Sequence, residues 1–189
     1  MAFSLTTRIY FTAFITIVIW GLLAWHYYHG GVPSHHVLAR KDLPFISNWW
    51  GGLVLPVLTW FLLFRIHKRI QKSYSESCVT KLPVTVVYAF SAALLFGVTL
   101  AAFFTLGYQD IPGYMLIGIF LVALLFPVFR AECLLGFVLG MTYTFGAILP
   151  TAVGAVLVII SLALHQVLRP LILYFTKFLL SLFSKKVVK

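Results

Sequence analysis

The chain has 189 residues, 62% of them hydrophobic and only 10% charged, and a mean hydropathy of +1.04. A soluble domain is about 45–50% apolar and about 25% charged, so this composition excludes an ordinary soluble fold and points to a bilayer as the solvent. The net charge of +10 does not indicate nucleic acid as a partner. The cations lie in short segments between long apolar runs, a pattern suited to membrane orientation and anionic headgroups.

A helix needs about 20 apolar residues to cross the hydrocarbon core, and charges and turn formers cut the chain into pieces of that length. The first predicted span is 8–28. It starts at Arg8 and ends in "HYYHGG" with no small-residue cleavage site, so it reads as a retained helix, not a signal peptide. Residues 29–47 form a long loop rich in turn formers. The second span, 47–66, contains Pro56, which permits a kink. The third, 83–107, starts at Pro83, a residue suited to a first helical turn.

After the turn "YQDIPG" comes a fourth span, 113–130. Cys133 to Leu168 is too long for one helix, and "ILPTAVG" is expected to divide it near Pro150 and Thr151 into spans 132–149 and 151–168. Residues 171–184 carry Lys177, Ser181 and Ser184 on one narrow helical face. They predict an amphipathic helix lying in the headgroup boundary.

The basic residues test this division. With the N-terminus cytoplasmic, Arg8, Arg65, Lys68, Arg69, Lys72, Lys81, Arg130, Arg169, Lys177, Lys185, Lys186 and Lys189 fall inside, and only Arg40 and Lys41 fall outside. That asymmetry follows the positive-inside rule. The expected fold class is all-α: one domain over 1–189, a polytopic integral membrane protein with six transmembrane helices, N-in and C-in. Compact size and the absence of appended domains suggest a bacterial inner membrane. Cys78 and Cys133 are far apart and fall near the cytoplasmic side, so no disulfide is expected.

The chemistry-bearing residues gather at the outer end. "HYYHGGVPSHH" holds four of the six histidines. His26, His29, His35 and His36 with Asp42 could supply a zinc or copper site, since imidazole and carboxylate are common donors. His29, His35, His36 and Asp42 could instead act in acid–base catalysis. Asn48, Trp49 and Trp50 open span two on the same face, and Thr142, Tyr143 and Thr144 lie in the outer half of span five. Together they could line a pocket for a lipid or lipid-linked substrate. The competing reading is an interfacial belt, because His, Tyr and Trp favour the membrane surface.

Two further features stand elsewhere. Gly136, Gly140 and Thr144 repeat every four residues, the small-residue spacing of close helix contact, within the chain or in a homo-oligomer or membrane partner. Arg130 and Glu132 flank the turn between spans four and five. They read as a local inner anchor, or as a buried polar site if the helices run deeper. The functional alternatives are therefore a metal, lipid or lipid-linked-substrate site at the outer face, and a non-catalytic subunit, small transporter component or assembly partner acting through helix contacts.

Overall fold

The computed structural model describes residues 5–29, 34–36, 45–77, 82–108, 110–168, 170–171, 174 and 176–177. Six helices dominate: α1 (Leu5–Tyr28), α2 (Gly51–Ser77), α3 (Leu82–Thr105), α4 (Asp110–Leu125), α5 (Ala131–Phe145) and α6 (Ile148–Ala163), the last extended by a π-turn, Leu164–Leu168. A short antiparallel pair, β1 (Ser34–His36) and β2 (Phe45–Ser47), and a 3₁₀ turn, Asn48–Trp50, lie between α1 and α2.

Three segments are long and apolar enough to cross a membrane: Leu5–Tyr28, Pro83–Thr105 and Ile148–Leu168. The apolar helices α4 and α5 are shorter, at 16 and 15 residues. At 1.5 Å per residue they cover roughly 22–24 Å, less than the hydrocarbon thickness of about 30 Å. Large apolar side chains such as Phe14, Ile17, Leu95, Ile117, Leu121 and Ile159 stand exposed around the bundle. A soluble monomer does not expose apolar surface on this scale. The molecule is an integral membrane protein.

Helix boundaries differ from the sequence expectation where turn chemistry outweighs hydropathy. The fourth span ends at Leu125, five residues early, because Phe126–Arg130 form a turn closed by Val128 N–H donating to Phe126 O at 2.9 Å. The division of the last long segment comes at Gly146, not at Pro150. Gly146 has φ +71°, a left-handed value that favours glycine, and its N–H donates to Thr142 O at 2.9 Å. Pro150 sits inside the first turn of α6, where a missing N–H costs nothing. Gly107, with φ +85°, likewise ends the turn after α3. Helix α2 begins at Gly51, four residues later than expected, and runs on to Ser77 through its basic second half.

The closest pairing in the bundle is α3 with α5, and small residues permit it. A methyl group on Gly140 would lie 2.5 Å from Leu94 O, and one on Gly97 would lie 2.7 Å from Phe137 O. Gly136 meets Phe90 O in the same way. The small-residue face of α5 is therefore applied to α3 within the chain. One core cluster, Ile15, Ile19, Leu23, Leu55, Leu100, Val138 and neighbours, joins α1, α2, α3 and α5. A second, with Leu62, Leu63, Ile66, Ile70, Val86 and Leu135, lies beside the basic half of α2.

Candidate functional site

Contacts across the helices define two ends of the bundle. At one end the C-terminus of α1 meets the start of α2: Trp20 and Tyr27 pack on Trp49 with ring centroids 6.3 and 6.2 Å apart. Gly51 lies against Ala147, where a methyl group would be 3.3 Å away. The end of α1 that carries His26 and His29 and the α5–α6 turn therefore share one end.

His29 turns back along α1. Its ring stacks on Trp25 at 3.9 Å between centroids, and its Nδ1 lies 2.9 Å from Trp25 O. His26 is half-buried. His35 and His36 belong to β1, with His35 opposite Ile46 and His36 opposite Phe45. Asp42 lies outside the described residues. Among the described residues no group of three or more His, Cys, Asp or Glu comes together. Trp49 and Trp50 are exposed, and Asn48 starts the 3₁₀ turn. Thr142 is buried and its hydroxyl donates to Val138 O at 2.7 Å. Thr144 is half-buried, while Tyr143 is exposed. Thr142 and Tyr143 line a small cleft of about 290 Å³ against α1 and Leu55.

The opposite end holds the charges. Glu132 is fully buried, and both its oxygens accept from Arg69: Oε1 from Nη2 at 2.7 Å and Oε2 from Nη1 at 3.0 Å. A bidentate pair of this kind joins α2 to the first turn of α5. Nothing local in the sequence marks Arg69 among the cations of "RIHKRIQK", because its partner is 63 residues away. Arg130 and Glu132 stood out as a turn anchor or a buried pair; the carboxylate is buried, but its partner is Arg69. Nearby, Arg8 is also buried. Its guanidinium lies over the Trp60 ring at 4.2 Å and the Phe64 ring at 5.1 Å, a cation–π contact in an apolar setting.

Close to the Arg69–Glu132 pair, at the start of α5, opens a groove of about 720 Å³ between α3, α4, α5 and α6. Ala89, Ala92 and Ala93 on α3 and Gly118 on α4 form small-residue walls, with Phe96 and Met115 toward its far end. Arg130, Cys133 and Ser161 are among the few polar groups on its wall. Ser161 is 3% exposed and its hydroxyl has no hydrogen-bond partner among the described residues. Arg130 is half-buried and precedes α5 as its N-cap, without a side-chain cap bond. Sequence reasoning missed this groove because it is made by four helices, each contributing small or apolar residues of no individual note.

No protein-family model matches the chain, and comparison with curated proteins and with solved structures finds no significant match.

Proposed function

We propose that this protein is a lipid-binding membrane protein that holds an acyl chain, free or lipid-linked, in the groove between α3, α4, α5 and α6. The observation that carries this reading is the groove itself: about 720 Å³, lined almost wholly by apolar side chains. That volume lies within the roughly 300–1,000 Å³ typical of small-molecule sites. Its α3 wall runs from Thr85 to Phe96, eleven residue steps or roughly 16 Å along the helix. This is about half of a 30 Å hydrocarbon core, the depth of one leaflet and of one acyl chain.

The reading places all six helices in the membrane, with α4 and α5 as a short hairpin and both termini on the basic side, the cytoplasmic face of a bacterial-type inner membrane. The charge asymmetry supports that orientation. The aromatic end then faces outward as an interfacial belt, which the stacking of His29 on Trp25 and the edge contact of Tyr27 with Trp49 support.

The test is lipid retention by the full chain. Protein purified in mild detergent should keep about one lipid per chain through washes that remove bulk lipid. Gly118→Leu should lose it, because a side chain at Gly118 meets no atom within 4 Å and extends into the groove without disturbing the backbone. Equal retention by both proteins overturns the reading. The outer belt is tested by metal analysis: stoichiometric zinc or copper, lost on His29→Ala or His36→Ala, would replace the belt with a metal site.

A further inference from the structure

We infer that the groove is selective for an anionic phospholipid of the basic-side leaflet, with the phosphate at Arg130 and one acyl chain running along α3 and α4. This rests on the acyl-chain reading above and adds the headgroup, the leaflet and the residues that choose them.

Charge is the first argument. Arg69, Arg130 and Glu132 meet at the start of α5. Both oxygens of Glu132 are taken by Arg69, so that pair is neutral as a unit. Arg130 has no carboxylate within ion-pair distance among the described residues, although it is half-buried on the groove wall. A cation withdrawn from water needs a counter-charge, and one phosphodiester supplies a single negative charge. Planar guanidinium also suits the phosphate oxygens.

The second argument is backbone geometry. Arg130 is the N-cap of α5 and caps it with backbone only. Its carbonyl accepts from Cys133 N–H at 3.0 Å and Leu134 N–H at 3.2 Å, and its side chain makes no cap bond. The N–H groups of Ala131 and Glu132 and the positive end of the helix dipole adjoin Arg130 in the chain, and a helix start of this kind favours phosphate.

A third and independent observation is Ser161. Its hydroxyl is buried in the groove wall with no partner among the described residues, which costs free energy unless a ligand supplies an acceptor. A phospholipid has ester carbonyls between phosphate and chain that meet this need. A plain hydrocarbon tail does not.

The experiment uses the full chain in nanodiscs of phosphatidylcholine and phosphatidylglycerol in equal parts, followed by detergent extraction and lipid analysis by native mass spectrometry. Wild type should retain one lipid per chain, enriched in phosphatidylglycerol by about tenfold or more, as expected for a charge-assisted contact. Arg130→Gln should keep the lipid but lose the enrichment, and Ser161→Ala should weaken retention of both lipids alike. Gly118→Leu should retain neither lipid. Size-exclusion profiles matching wild type establish that each variant is folded.

If Arg130→Gln keeps the phosphatidylglycerol preference while Gly118→Leu abolishes binding, the headgroup assignment is wrong and the acyl groove stands. If wild type retains no lipid, both fail. If added palmitate displaces the lipid at equal concentration, the occupant is a free fatty acid and the phospholipid assignment is overturned.

Discussion

Removing Arg69 should destabilise the protein more than removing Glu132, although the two share one ion pair. The reason is asymmetric burial. The Glu132 side chain is 0% exposed, whereas that of Arg69 is 30% exposed. In Arg69→Met the carboxylate is left with both oxygens unsatisfied and no route to water. Breaking a buried pair in this way costs about 3–5 kcal/mol, and the upper part of that range is expected here. In Glu132→Leu the stranded group is an arginine that already reaches solvent or headgroups, so the loss should fall near or below about 3 kcal/mol. The double variant Arg69→Met with Glu132→Leu places two apolar side chains at the contact. It should be more stable than Arg69→Met alone, because no buried charge remains.

Arg130 refines the expectation. It is two residues from Glu132, so Arg69→Met combined with Arg130→Gln should be worse than the sum of the two single changes. The assay is reversible unfolding in mixed micelles with increasing SDS, followed by tryptophan fluorescence. The reasoning is refuted if Arg69→Met is no more damaging than Glu132→Leu, or if the double variant shows the simple sum of their effects.

The same substitution should have opposite consequences at two glycines. Gly140→Ala puts a methyl 2.5 Å from Leu94 O and 2.9 Å from Val98 N, so α3 and α5 must separate, at about 1–3 kcal/mol. Gly118→Ala meets nothing and should be neutral or stabilising by up to about 1 kcal/mol; parallel melts of the two variants in detergent decide it. Trp60→Leu should cost up to about 2 kcal/mol through the lost Arg8 contact, and clearly less in an Arg8→Met background, as a double-mutant cycle would measure. His29→Ala should leave folding unchanged, since the ring is exposed and bonds only within α1; a melting shift beyond a few degrees would show that the stacked ring holds the outer end together.

Several features were readable from the chain because they depend on neighbours in sequence. Helix-length apolar runs, the breaks between them and the basic asymmetry are one-dimensional quantities, set by the cost of burying charge and backbone in hydrocarbon. The close-packing face of α5 was also visible, since glycines four apart lie on one side of a helix. Its partner was not: α3 shows itself only through the carbonyls of Phe90 and Leu94.

The histidine segment shows the limit from the other direction. Clustering in sequence suggested convergence. In the fold His29 turns back on Trp25, a ring at a helix end satisfied on the preceding turn, and His35 and His36 enter a strand, while Asp42 lies outside the described residues. Local pattern thus determined that this is a helical membrane protein and which residues lie at its two ends. Tertiary structure alone decided that Arg69 neutralises Glu132, that Arg130 has no ion pair among the described residues, and that alanines and glycines from separate helices line one groove. Ion pairing and cavity formation depend on distance in space, and residues 63 apart in the chain carry no mark of being 2.7 Å apart in the fold.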